Sequence, residues 1–202
     1  MLAHGTKSEQ MEDNLWMAEI PDVVDILRKG GIVLYPTDTI WGLGCDAMHE
    51  KAIDKIYKIK KRPPSAPLIV LVDSIEMLKQ LLTRLHPRIE TLLSVHNKPL
   101  TLVYSGVKGL PEVLYSAKKT VGIRVTTDPF CQEMIRQLGH PVISTSANVS
   151  GQPWPRGFGE ISSEIIKSSN YVVRHRREEK TTGEPSVVAS FNSKGTLQFL
   201  RD

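Results

Sequence analysis

Residues Val121 to Pro153 read VGIRVTTDPFCQEMIRQLGHPVISTSANVSGQP, and the order of elements within them decides the fold class. Val121 to Val125 is a short β-branched run with Arg124 in it, the pattern of a strand. Asp128 is an N-cap type, Pro129 suits the first helical position and Gly139 the C-terminal stop. Phe130, Met134, Ile135 and Leu138 recur at helical spacing, which predicts a buried face. Pro141 to Ile143 reads as a second strand. It runs into Ser144-Thr145-Ser146-Ala147-Asn148-Val149-Ser150-Gly151, a dense set of hydroxyl and amide groups. In α/β sheets ligands gather outside the carboxyl ends of strands. Alternatively, such a loop uses its hydroxyls to bond its own backbone.

The rest of the chain follows the same alternation. A helix is predicted over 21–29, stopped by Gly30-Gly31, then a buried strand over 32–35 and a Thr-, Asp- and Gly-rich loop over 36–48. A helix over 49–61 places Ala52, Ile53, Ile56 and Tyr57 inward and ends at Pro63-Pro64. A strand over 68–72 leads to a capping box formed by Asp73 and Glu76. A further helix follows Pro87, and Leu100 to Tyr104 is a strand. Beyond the opening stretch lie a Pro/Gly loop, a short helix over 161–166, a strand over 171–174 and a polar, mobile run from His175 to Pro185. A hairpin joins 187–191 to 196–200 across Asn192 to Gly195. The expectation is an α/β fold: a single-domain twisted mixed sheet with flanking helices. Residues 1–14 are expected to be a flexible N-terminus and 15–202 one catalytic domain.

The 202 residues suffice for one domain with a real core. The net charge of +4 permits a nucleotide or RNA partner without requiring one. Cys45 and Cys131 form no CxxC pair, which suits reduced thiols in a cytoplasmic protein. No apolar run reaches membrane-spanning length, and the first residues lack a signal-peptide core.

Some motifs mislead. Gly42 to Ala47 fits GxGxxA, but six residues separate it from Tyr35 and no acid stands near 62–66, so a dinucleotide site is rejected. Those glycines are expected to make a tight turn. Ser116-x-x-Lys119, Ser146-x-Asn148 and Lys180-Thr181-Thr182-Gly183 imitate serine acyltransferase signatures, with an extra Thr in the last. No Walker loop and no metal-spaced histidine pair occurs, and no protein-made metal site is expected.

Lys58, Lys60, Lys61 and Arg62 close a helix, where cations are favoured in any case. Lys60 lies one turn beyond Ile53, Ile56 and Tyr57, so it leans toward the sheet, and Arg62 stands in a Pro-fixed extended segment. Two cations held rigidly by a strand end suit a polyphosphate. Arg124, inside a strand, needs either an acidic partner or a ligand.

Tyr35-Pro36-Thr37-Asp38-Thr39, then Lys60-x-Arg62-Pro63, then Arg124-Val125, then Ser144-Thr145-Ser146-Ala147-Asn148-x-Ser150-Gly151, in that order, resembles the YrdC-like family over about residues 21–191. That family contains the threonylcarbamoyl-AMP synthases. The resemblance implies an open basic concave site and a reaction of L-threonine, bicarbonate and ATP, with Mg²⁺ accompanying ATP. It implies Lys60, Arg62, Ser146 and Asn148 as catalytic residues. Arg62, Thr101, Arg124, Ser146 and Asn148 would bind ATP, and Thr37, Thr39, Ser144 and Ser186 would bind threonine. Departures are His96 to Pro99 before Thr101, Thr126 after Arg124-Val125, and Val187 to Ser190 after Ser186. The implied partners are the tRNA threonylcarbamoyl-transfer proteins, with tRNA itself bound indirectly or weakly, and no membrane. The rival is a non-catalytic RNA-binding module on the basic concave surface. It calls for aromatics interleaved with basic residues, or an RNA motif, and the sequence has neither. Thr37, Thr39, Arg62, Arg124, Ser146 and Asn148 are expected to converge on one face.

Overall fold

The computed structural model describes residues 7–96, 98–179, 183–191 and 196–201. Its elements in chain order are α1 (Lys7–Arg28), β1 (Val33–Tyr35), β2 (Gly42–Asp46), α2 (Glu50–Ile59), β3 (Ile69–Val72), α3 (Ile75–Leu81), α4 (Pro87–Val95) and β4 (Leu100–Ser105). They continue with β5 (Thr120–Val125), α5 (Pro129–Leu138), β6 (Val142–Ser146), α6 (Ser163–Ser168), β7 (Tyr171–Val172), β8 (Val187–Phe191) and β9 (Leu197–Arg201). Single 3₁₀ turns occur at Glu112–Leu114 and Phe158–Glu160. Among the described residues one mixed sheet forms, in the order β7-β1-β2-β6-β3-β5-β4-β8-β9. The chain is thus a single α/β domain built on a twisted mixed sheet with helices against it.

Side chains alternate across a strand, and the core divides accordingly. Leu34, Val70, Val72, Leu102, Ile123 and Ile143 pack with α2 and α3 on one face. Val33, Tyr35, Leu71 and Val142 pack with α1 and α5 on the other. Helix α5 is built as its sequence predicts: Asp128 accepts from the Cys131 amide at 3.0 Å, Pro129 occupies the first turn, and Gly139 ends it at φ +78°.

Five expectations need correction. Helix α1 does not start at Pro21 but runs through it, because Trp16 and Ile20 continue the buried spacing of Val23, Val24 and Leu27. The predicted loop over 36–48 contains β2, fully buried between β1 and β6. Its glycines make no turn: a Cβ at Gly44 would lie 2.2 Å from the Ile143 carbonyl oxygen and 2.8 Å from the Tyr35 ring. Glycine inside a strand here marks close approach of neighbours. Strand β6 continues through Ser144 to Ser146, paired as far as Gly42 with Ser146. The cap of α3 is Ser74 rather than Asp73, its hydroxyl accepting from the Met77 amide at 3.2 Å.

The hairpin of β8 and β9 forms as predicted, while its turn at 192–195 lies outside the described residues, as do Asn97, residues 1–6 and the predicted motif residues Lys180 to Thr182. Among the described residues no helix is long and apolar enough to cross a membrane.

After β7 the chain returns over the α1/α5 face. Buried Glu19 accepts from the Arg174 amide at 2.8 Å and the Tyr171 hydroxyl at 3.0 Å. His175 lies against Trp16 and Phe130, and Arg176 pairs with buried Asp128 at 2.6 Å. This anchoring brings the chain back toward the open end of the sheet.

Candidate active site

The face covered by α1 and α5 continues past those helices. Residues two apart on a strand share a face, so Val142, under α5, is followed on the same side by Ser144 and Ser146. A cleft of about 350 Å³ opens there. Its floor includes Gly42, Ile69, Ser144 and Ser146, and its walls Thr37, Thr39, Arg62, Arg124, Trp154 and Ser186. A Cβ on Gly42 would come 3.1 Å from the Ser144 hydroxyl, so the glycine leaves that hydroxyl accessible to the cleft.

Arg124 is buried in β5, level with Leu71 on β3 and Thr101 on β4. One guanidinium nitrogen donates to the Thr39 hydroxyl at 3.1 Å and another pairs with Asp38 at 3.3 Å. Its Nε is buried without a hydrogen-bond partner. The alternatives left by the sequence are therefore both realised: Arg124 has an acidic partner and still faces the cleft. Thr37 and Thr39 lie in the turn between β1 and β2, their hydroxyls 2.9 Å apart. The Thr37 hydroxyl also donates to the Ile40 carbonyl at 2.8 Å. This closed set of bonds fixes both threonines.

Arg62 owes its position to the end of α2. The Lys61 amide donates to the Lys58 carbonyl at 3.0 Å and the Arg62 amide to the Tyr57 carbonyl at 2.9 Å, with Lys61 left-handed at φ +50°. That is a Schellman closure, and it turns the chain so that Arg62 emerges at the cleft. Its side chain then donates to the Pro67 carbonyl at 2.8 Å, which steadies the guanidinium.

Three sequence-predicted residues lie behind the cleft instead of in its lining. Lys60 is 1% exposed. Its ammonium donates to the carbonyls of Ser146 at 2.5 Å and Asn148 at 2.6 Å, and its own carbonyl accepts from the Ser150 amide at 2.9 Å. Lys60 thus clamps the loop after β6. Burial, and after it the neighbouring Arg62 charge, bring its pKa down to about 8. Asn148 turns its amide onto the Gln152 carbonyl within that same loop. Thr101 is fully buried and bonds the Ser186 hydroxyl at 2.8 Å. The convergence expected for six residues therefore holds for Thr37, Thr39, Arg62, Arg124 and Ser146, while Asn148 stands one layer back.

Sequence reasoning missed Trp154, 46% exposed at the cleft mouth, and Glu184. Both lie in segments read only as polar or Pro/Gly loops, where no periodicity marks a functional position. The cysteines are buried, and burial pushes both thiols well up, leaving them unsuited to thiolate chemistry.

The model of the Sua5/YciO/YrdC family, described as telomere recombination, matches residues 25–202. A threonylcarbamoyl-AMP synthase from Hahella chejuensis is 36% identical over 130 residues, which is 64% of this chain and 71% of the relative. A threonylcarbamoyl-AMP synthase from Idiomarina loihiensis is 29% identical across 92% of this chain and 100% of the relative. The structure of P. abyssi Sua5 complexed with L-threonine superposes with a TM-score of 0.81 at 28% identity. It covers 90% of this chain, and this chain spans about half of that one, 53%.

Proposed function

The chain belongs to the Sua5/YciO/YrdC family, and from that membership we propose that it is a threonylcarbamoyl-AMP synthase. It converts L-threonine, bicarbonate and ATP to threonylcarbamoyl-AMP and pyrophosphate. The observation that carries this reading is the gathering of two guanidinium groups and a row of hydroxyls on one cleft. Its setting is a fold shared with a Sua5 solved with L-threonine.

The chemistry needs no protein nucleophile. Threonine's α-ammonium gives up a proton to solvent, its nitrogen bonds to the carbon of carbon dioxide derived from bicarbonate, and a second proton leaves to solvent, giving a carbamate. A carbamate oxygen forms a bond to the α-phosphorus of ATP, the bond from that phosphorus to the bridging oxygen breaks, and pyrophosphate carries away the electron pair. Catalysis is then positioning plus neutralisation of phosphate charge. Arg62, Arg124 and Ser146 hold the nucleotide; Thr37, Thr39, Ser144 and Ser186 hold threonine. Lys60 and Asn148 act as positioning residues through the loop after β6, and Thr101 acts through Ser186.

Mg²⁺ would accompany the triphosphate and neutralise part of its charge. Among the described residues no group of three or more His, Cys, Asp or Glu could hold a metal ion, and no protein-made metal site is proposed. The product passes to separate transfer proteins for attachment to tRNA, the first step of threonylcarbamoyladenosine modification having been completed here.

The test is pyrophosphate release by purified protein. Release requiring ATP, L-threonine and bicarbonate together is expected. Turnover indifferent to threonine defeats the reading, and tight, salt-resistant RNA binding without turnover favours the RNA-binding rival instead.

A further inference from the structure

The cleft has an unequal charge inventory. Two cations, Arg62 and Arg124, face it, and its hydroxyls are neutral. Among the residues lining it one carboxylate occurs, Glu184. The proposed substrates carry the reverse imbalance: ATP, bicarbonate and the threonine carboxylate are anions, and, apart from the Mg²⁺ that accompanies ATP, the α-ammonium of threonine is the single cation among them.

Glu184 is exposed and lines both this cleft and a second one beside Arg156 and Arg177, and its backbone is held near Thr39 by its neighbours. Gly183 lies against the Thr39 backbone so closely that a Cβ there would sit 2.0 Å from the Thr39 carbonyl oxygen. On the other side Ser186 is bonded to Thr101 at 2.8 Å. The short segment between these two fixed points crosses the cleft wall, and Glu184 is its charged residue. Resting on the synthase reading, we infer that Glu184 receives the α-ammonium of the amino-acid substrate and selects for an amine at that position.

A carboxylate on the same cleft as Arg62 and Arg124 also opposes the approach of a triphosphate. Once an ammonium sits against it, that opposition falls. Threonine therefore raises ATP affinity in the wild-type protein, and by reciprocity ATP raises threonine affinity by the same factor.

The test compares two ligands by calorimetry without ATP: L-threonine, and (R)-3-hydroxybutanoate, which keeps the carboxylate and hydroxyl but lacks the amine. Wild type is expected to prefer L-threonine by up to about fivefold, the scale of an exposed ion pair. Glu184→Gln loses about that factor for L-threonine and leaves (R)-3-hydroxybutanoate unchanged, while Glu184→Asp retains part of the preference. ATP affinity in the absence of threonine is higher in Glu184→Gln, and an unchanged affinity overturns the coupling between the two substrates. Wild type that binds L-threonine together with Glu184→Gln that binds both ligands as wild type does overturns this inference alone. Wild type that binds no L-threonine overturns the synthase reading and this inference with it.

Discussion

One face of the sheet serves two purposes, and the boundary between them falls within β6 and between β3 and β5. Under α1 and α5 the face carries Val33, Leu71 and Val142, packed on Trp16, Phe130, Met134 and Leu138. Two residues on along β6, past the edge of α5, the same face carries Ser144 and then Ser146, and directly beside Leu71 on the neighbouring strand it carries Arg124. Strand geometry is continuous across the boundary; the cover changes. Where a helix excludes water the strand buries hydrocarbon, and where none does it carries groups that gain from contact with an ion or hydrogen-bonding ligand. Substitutions in the covered half should therefore act on stability, and those in the open half on turnover.

The sharpest break of that division comes from the covered half. Phe130 is buried against Trp16, with ring centroids 6.1 Å apart. Phe130→Ala is expected to cost about 3–5 kcal/mol in chemical denaturation, through lost transfer energy and a cavity. The protein still folded should keep its Michaelis constants for threonine and ATP. A large rise in either constant, with the fold intact, would show that the covered half shapes the site.

From the open half, Arg62→Ala should lower kcat by about 10²–10³, the cost of removing a preorganised charge donor from a developing anion. Its thermal midpoint should hardly move, since the side chain adds only carbonyl contacts in its own loop. Arg62→Lys should recover little, because a point charge does not reproduce a planar fork of donors. A well-folded Arg62→Ala with full activity would remove the phosphate role.

Lys60, two residues earlier, straddles the division, and pH separates its two effects. With a pKa of about 8 against an ordinary 10.5, it loses its proton within an accessible range. Neutral Lys60 has two N–H donors in place of three, and the grip on Ser146 and Asn148 weakens. Turnover should decline as pH rises through about 8. Stability moves the other way: between the two values the unfolded chain binds more protons at this site, so its contribution to stability rises with pH. Rate profiles and denaturation midpoints across that range check both signs. An activity plateau well above pH 8, in a protein whose Lys60→Gln variant is inactive, would contradict the clamp.

The fold was legible where burial produced periodicity. Helix α5 declared its caps and its buried face, and Ala52, Ile53, Ile56 and Tyr57 of α2 are buried as their spacing implies. Strand β2 was not legible, because Gly-Leu-Gly-Cys-Asp lacks alternation: its glycines accommodate Tyr35 and the β6 backbone, neighbours known only from tertiary structure. The candidate site was legible as a set of polar side chains but not in its depth. Lys60 and Arg62 look equivalent in sequence, yet one faces loop carbonyls and the other the cleft. Glu184 had no signal, since its position follows from what Gly183 and Ser186 touch.

The smallest expected effect concerns the residue between that pair. Lys61 occupies the left-handed position of the Schellman closure, at φ +50°, where a side chain costs about 1–2 kcal/mol and glycine is the usual occupant. Its ammonium pairs with Glu164 on α6 at 2.8 Å, but both side chains are more than half exposed, and such a pair is worth about 0–1 kcal/mol. Glycine in turn adds freedom to the unfolded chain, offsetting about 0.5–1 kcal/mol of the relief. Lys61→Gly should therefore change stability by no more than about 1 kcal/mol in either direction, with turnover retained because both amide bonds of the closure persist. Glu164→Gln should by itself cost no more than an exposed pair supplies. If Lys61→Gly instead destabilises by well over 1 kcal/mol, and Glu164→Gln matches it, the Lys61–Glu164 contact is a fastening of α6 to α2. The cation next to Arg62 would then owe its presence to helix packing on the opposite face of the sheet rather than to the cleft.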